Sequence, residues 1–194
     1  MAYSSGFSPH PRISYANAGP TGSASEAEYL EIGLAERRDP DQVVEAINAA
    51  MPQGLVILQA VEAGEGALAD RLTASRWLLD VAGVPRHVLE EAVAALLDVP
   101  ELVVERMTRS GLRSFDVRGD LLNLSVRDDR TLELVSAQKS PLVRPDDVAR
   151  ALARVCQGFQ PELPPVYTRL EQGVWDGRVL VDPLDPRPDP GRSA

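Results

Sequence analysis

One cysteine stands in 194 residues, Cys156, and that scarcity closes several routes at once. A lone thiol forms no internal disulfide and builds no cysteine-only metal cage, and it fits a reducing cytoplasm. Histidine is almost as rare. His10 and His87 lie far apart in the chain, and structural metal ligation needs several convergent ligands. No run of about 18 apolar residues is present, so no segment reads as a membrane span. Met1–Ser8 lacks both the basic and the apolar stretch of an export signal. No phosphate cradle is present either, because Gly19-Pro20-Thr21-Gly22 has neither the lysine nor the spacing of a P-loop. Positive charge is short as well: 20 Lys/Arg against 29 Asp/Glu leave a net charge of −9, which argues against a protein that coats nucleic acid non-specifically.

What is there supports a folded domain. The apolar fraction is 44% and the charged fraction 25%, enough for a core and a solvated surface. The charge is uneven: residues 101–154 hold 10 basic against 9 acidic residues, whereas the remainder holds 10 against 20. Such asymmetry fits one polar partner surface, and it fits chance variation along a soluble surface equally well.

The first 25 residues carry Pro9, Pro11 and Pro20 around an extended stretch at Arg12–Ala16. Glu28–Leu34 alternates with Leu30, Ile32 and Leu34 on one face, the period of a half-buried strand. Asp39 offers an N-cap and Pro40 a first helical position. The apolar positions Val43, Val44, Ile47, Ala50 and Met51 follow at helical spacing, and Leu55–Val61 reads as a further strand. After Gly64–Gly66 the pattern restarts. Trp77, Leu79 and Val81 alternate as a strand, and Pro85 opens a helix with the stripe Val88, Leu89, Ala92, Val93, Leu96 and Leu97. Leu102–Met107 and Arg113–Arg118 form a predicted hairpin through Ser110-Gly111, and Leu121–Val126 with Thr131–Val135 a second. Pro145 opens a helix with Val148, Ala151, Leu152 and Val155 inward, Gly158 ends it, and Val166–Leu170 is a last strand. The expected fold is α+β: two tandem ferredoxin-like (βαββαβ) units, the first lacking its opening strand and helix. The expected divisions are residues 1–63, residues 67–172 with an elaborated central hairpin, and a disordered Pro/Asp/Arg tail over residues 176–194.

Sites for chemistry are few. Two prolines hold the backbone on either side of His10, so its side chain is presented, either as a positioned base or contact or as a half-exposed part of a rigid loop. Cys156 sits on an inward helix face as a core thiol, and Ser5, Ser8 and Ser14 beside His10 suit turn chemistry. Glu26, Glu28 and Glu31 fit a solvated strand better than a cation site, because alternation splits them between two faces. Arg106, Arg109, Arg113 and Arg118 fall on or beside one hairpin with Phe115 among them, a workable surface for single-stranded RNA, although Phe115 equally suits the core.

The run Tyr3-Ser4-Ser5-Gly6-Phe7-Ser8-Pro9-His10-Pro11-Arg12-Ile13-Ser14-Tyr15, followed by Ser25-Glu26-Ala27-Glu28-Tyr29-Leu30-Glu31-Ile32, resembles the radical SAM-linked, or radical SAM-associated, proteins that carry a bacterial domain of unknown function of the DUF2344 type. Val103–Arg106 and Asp116–Arg118 add a less specific likeness, and the similarity runs to about Leu170. The Ala- and Arg-rich composition is similar to that of actinobacterial members. Members of that family are fused to, or encoded beside, a radical SAM protein, often one with a cobalamin-binding domain. The resemblance therefore implies a partner carrying an iron–sulfur cluster, S-adenosylmethionine and, in many cases, cobalamin. Radical SAM chemistry needs a three-cysteine iron–sulfur motif, which one cysteine cannot supply, so no cofactor is expected in this chain. The family opens with a strand and a helix before the Tyr-Ser-Gly-Phe motif, with a His-Asp pair of its own, so by this resemblance the chain looks truncated at its N-terminus.

The leading expectation is a cytoplasmic, non-catalytic accessory protein of a radical SAM enzyme that binds or presents a substrate, with RNA as a candidate. Its expected binding residues are Phe7, Pro9, His10 and Arg12, with Arg12 as anion anchor, together with Arg106, Arg113 and Arg118. The alternatives are an RNA-processing or RNA-modifying enzyme that uses His10 as general base, and a purely structural interaction protein.

Overall fold

The structure is a computed structural model that describes residues 1–108 and 111–185. The first half contributes β1 (Ile13–Ala16), β2 (Ala24–Ser25), β3 (Tyr29–Ile32) and α1 (Pro40–Ala50). Asp39 caps α1 as its sequence position predicts: its carboxylate accepts from the backbone N–H groups of Asp41 and Gln42, and Pro40 fills the first turn where no donor is missed. β1 and β3 pair antiparallel as an isolated two-stranded ribbon, Ile13 opposite Ile32 and Tyr15 opposite Leu30.

The second half follows as β4 (Ala74–Asp80), α2 (Arg86–Asp98), β5 (Val103–Thr108), β6 (Gly111–Asp116), β7 (Leu121–Val126), β8 (Thr131–Ala137), α3 (Pro145–Val155), β9 (Val166–Trp175) and β10 (Leu180–Val181). Its main sheet has the order β10-β9-β4-β8-β7, with every one of these neighbours antiparallel. Leaving out the β5–β6 hairpin, the sequence β4-α2-β7-β8-α3-β9 has the element order of a βαββαβ unit. One face of the sheet is covered by α2 and α3. Trp77, Leu79, Leu132 and Leu134 from the strands meet Leu89, Ala92, Leu96, Val148 and Leu152 from the helices, all buried. Period two on the strands and 3.6 on the helices point the same residues inward that the apolar pattern marks. Cys156 is buried at the end of α3, as expected of a core thiol.

Three expectations need correction. Leu55–Val61 is not a strand: no ladder forms there among the described residues, and a strand needs a paired neighbour. The expected tail does not begin at Asp176. β9 runs on to Trp175, and Asp176 accepts from the N–H groups of Arg178 and Val179 to turn the chain, so that Leu180 and Val181 pair with Trp175 and Val174. Residues 186–194 of that expected tail lie outside the described residues. The strand expected over Arg113–Arg118 ends at Asp116, whose carboxylate accepts from the N–H groups of Leu102, Arg118 and Gly119 and starts a 3-10 turn. β2 pairs in parallel with β9, Ala24 beside Thr168 and Ser25 beside Arg169. Among the described residues, no helix is long and apolar enough to cross a membrane.

Candidate functional site

The N-terminal loop is built on a stapled stem. Ala2 N–H donates to the Gly33 carbonyl at 2.7 Å, Gly33 N–H to that of Arg12 at 2.7 Å, and Arg12 N–H to that of Ala2 at 2.9 Å. A Cβ on Gly33 would lie 2.9 Å from the Arg12 Cβ, so the close approach itself calls for glycine. Further out, Ser4 N–H donates to the His10 carbonyl at 2.9 Å and His10 N–H to the Ser4 hydroxyl at 3.0 Å. The tip turns through Gly6 at φ +130° and leaves Phe7 fully in solvent. The structure thus brings Phe7, Pro9, His10 and Arg12 onto one exposed loop. The His10 imidazole has no hydrogen-bond partner among the described residues, so nothing there orients it as a base.

The arginine hairpin is a different matter. Arg106 and Arg113 are directly opposite in the β5–β6 ladder, on the face they share with Val104 and Phe115. That face turns toward α3. Phe115 is buried, and the Arg106 guanidinium lies 4.7 Å from its ring centroid. Arg106 also donates to the Leu142 carbonyl at 3.0 Å and forms an ion pair with Asp147, a fully buried carboxylate on α3. Burial pushes the Asp147 pKa up and the Arg106 pKa down, while the opposite charge of each partner works against both shifts. Arg118 caps the C-terminal end of α2, with Nε and an Nη donating to the Leu97 carbonyl at 3.3 and 3.2 Å. Of the expected arginines, Arg113 remains exposed, and Arg109 lies outside the described residues. Arg106 and Arg118, two of the residues expected to meet RNA, tie the hairpin to helices.

Two features escaped the sequence reading. Arg169 sits on β9 with 1% of its surface exposed. It donates to the Asn17 carbonyl at 2.7 Å and to Ser25 Oγ at 3.3 Å, pairs with Glu28, and lies 5.4 Å from the Trp77 ring centroid. Beside it, Gln172 donates to the Ala27 carbonyl at 2.7 Å. These contacts clamp residues 17–28 onto the sheet. Above them opens a notch of about 440 Å³ lined by Tyr15, Gly19, Ser23, Ser25 and Glu28. The Tyr15 phenol pKa there is raised, first by burial and then by the Glu28 charge. The only sequence signal was a charged residue inside a predicted strand, which alternation assigns to a wet face.

The second feature is a groove of about 1060 Å³ between β3, α1 and the segment after α1. Val43, Val44 and Ile47 line it from α1, yet α1 has no buried residue. Leu55, Val56, Leu58 and Val61 are 57%, 67%, 84% and 41% exposed. Asn48 pins the middle of that segment, donating to the Ile57 carbonyl at 2.9 Å and accepting from its N–H at 2.7 Å. The signal for this groove was the helical apolar stripe after Asp39, which the sequence shows plainly but cannot show to be uncovered. Among the described residues, no group of three or more His, Cys, Asp or Glu side chains gathers as a metal site.

Fold and surface together define an α+β protein whose second half is a helix-backed antiparallel sheet and whose first half presents an open apolar groove and an exposed aromatic loop. The chain belongs to the DUF2344 family: a model of that family, described as an uncharacterized protein conserved in bacteria, matches residues 1–145. No curated protein and no solved structure shows a significant match.

Proposed function

We propose that this chain is a non-catalytic binding module that docks onto a larger protein through the open face of its first half and holds or presents that protein's substrate. The observation that carries the reading is the amphipathic helix α1, whose apolar stripe lines a large groove while none of its residues is buried. Exposed apolar patches of this size mark interaction surfaces. Phe7, at the tip of its stapled loop, supplies a second anchor of the aromatic kind that dominates protein interfaces. By the resemblance of the Gly6-Phe7-Ser8-Pro9-His10-Pro11 run, the partner is a radical SAM enzyme, which would bring the iron–sulfur cluster, S-adenosylmethionine and cobalamin. RNA is the weaker candidate for what is presented, because Arg106 and Arg118 are already engaged and Arg113 stands alone among the described arginines of that hairpin.

The test is co-expression with a radical SAM enzyme, the proposed partner, followed by measurement of the dissociation constant. Val44→Asp is expected to weaken the complex at least about tenfold, since an unpaired carboxylate in an apolar contact costs more than 1.4 kcal/mol. Because α1 buries no residue, circular dichroism of the variant should match that of the parent chain. Unchanged affinity for Val44→Asp would sink the reading.

A further inference from the structure

The groove has two bare backbone edges as well as an apolar floor. β3 pairs with β1 along one edge, and among the described residues no backbone hydrogen bond leaves the other edge within Tyr29–Ile32. Across the groove, the backbone of Leu55–Val61 is held by Leu55 N–H on the Pro52 carbonyl and by the Asn48 clamp on Ile57. The peptide groups of Leu58–Val61 have no hydrogen bond among the described residues. Unpaired peptide groups beside an apolar floor are costly once covered, unless what covers them supplies donors and acceptors. An α-helix satisfies its own backbone and would leave both edges bare. An extended strand meets both, with alternate side chains falling on Val43, Val44 and Ile47.

The rim says what charge the strand carries. Arg37 pairs with Glu62 and Arg38 with Glu36, which neutralises those two, while Arg71, the remaining basic residue of the lining, donates to the Pro183 carbonyl at 3.4 Å and leaves the unpaired charge acidic on balance. Glu26, Glu31 and Asp182 line the same groove without an ion-pair partner among the described residues. Asp182 and Glu171 stand near enough to Tyr29 to help raise its phenol pKa, behind the larger effect of burial. A second copy of a chain with net charge −9 would bring more negative charge to an acidic rim. Nor does the chain's own remainder fit. The sequence of residues 186–194 has proline at 186, 188 and 190, three alternate positions with no N–H to donate.

We propose that the groove between β3 and Leu55–Val61 takes an extended β-strand from the partner protein, apolar residues toward α1 and a Lys or Arg at the end beside Tyr29 and Asp182. The proposal rests on the docking reading above and names its mode. The probe is a short synthetic peptide alternating valine with threonine between lysine ends, added to the full chain and followed by amide hydrogen exchange. Slowed exchange in residues 29–32 and 58–61, with affinity about tenfold weaker in Asp182→Lys, is the expected result. Peptides with proline at the inward positions, or with glutamate ends, should fail to slow either segment.

Exchange unchanged at both edges, or slowed equally by the proline or glutamate peptides, overturns the strand. Protection confined to α1 overturns it in favour of a helix or a flat apolar contact. Protection of residues 29–32 that rises with protein concentration alone, with a dimer in sedimentation, overturns it in favour of a second copy. An intact mass of the natively expressed protein above 21.0 kDa, with both edges already protected, shows the strand to be supplied in cis and overturns the partner. A Val44-dependent complex with both edges still exchanging leaves the docking reading standing while the strand proposal falls. A complex indifferent to Val44→Asp removes the docking reading itself.

Discussion

Helices α1 and α3 have much in common in sequence. Each runs from Pro at its first position over 11 residues, with an acidic first turn and an apolar stripe at helical spacing. Their fates differ: α3 buries Val148, Ala151 and Leu152 fully against the sheet, and α1 buries nothing. The difference lies in what stands opposite. The second half supplies a sheet whose neighbours β9, β4, β8 and β7 pair along their lengths, so each inward Leu or Val removes its surface from water, about 1.5–3 kcal/mol apiece. The first half supplies a two-stranded ribbon, which is marginal alone. An amphipathic stripe reports the surface a helix is made to cover, and only the tertiary partner decides whether that surface is covered.

Equal apolar truncations on the two sides should therefore separate widely. Leu134→Ala, from a fully buried position on β8, is expected to cost about 3–5 kcal/mol in urea unfolding. Ile47→Ala on α1 should cost under about 1 kcal/mol, because its side chain is only partly covered. Equal costs would break the comparison and mean that α1 is packed in solution. Arg106→Met comes next, at about 3 kcal/mol, since it strands the Asp147 carboxylate inside the protein. The double change Arg106→Met with Asp147→Leu should recover most of that loss, and a double-mutant cycle measures the recovery. If the single variant were as stable as the parent and lost RNA binding instead, the arginine would belong to a binding surface after all.

Arg169→Met probes the joint between the two regions. Glu28 keeps 31% of its side chain exposed, so water compensates part of the lost pairing, and about 2 kcal/mol is expected. Hydrogen exchange should then speed up first in residues 17–28, ahead of the sheet itself. Uniform acceleration across the sheet would show that Arg169 supports the core rather than the joint.

The legible and illegible parts of the molecule divide along a physical line. The Asp39 cap of α1, the stripes of all three helices, the β7–β8 hairpin and the alternation of Trp77, Leu79 and Val81 are local patterns, and the structure places them as their periods require. Leu55–Val61 has the composition of a strand, but a strand needs a neighbour, and composition does not reveal whether one is there. Leu180–Val181 was hidden among prolines and aspartates because its pairing partner, the end of β9, lay beyond the apolar run that marked the strand. Arg106 read as part of an exposed arginine surface, and Arg169 carried no signal of its own. Their partners Asp147 and Glu28 are 41 and 141 residues away, beyond the reach of any periodicity. The sequence reading of the loop bearing Phe7, Pro9, His10 and Arg12 rested on its prolines, and in the structure these residues are exposed.

The smallest effect concerns protons. Tyr167 on β9 donates to Asp146 at 3.4 Å, and burial, followed by the Asp146 charge, holds its phenol pKa well above 10. The folded state therefore binds that proton more tightly than the unfolded chain. The resulting stability is fully present below about pH 10 and falls as the pH rises through the folded value. Tyr167→Phe has no such proton to lose, so its urea midpoint should decline less than the parent's between about pH 9 and the alkaline limit of folding. On the other side of the comparison, the Tyr15 phenol pKa is raised by burial and Glu28, although 55% of the residue is exposed. Its alkaline contribution should be weaker, because water already solvates much of the ring. Ultraviolet titration of tyrosinate in the two Phe variants separates the two cases. A larger loss of alkaline sensitivity from Tyr15→Phe than from Tyr167→Phe would mean that the notch around Tyr15 is closed in solution, and the contrast between a covered second half and an open first half would have to be redrawn there.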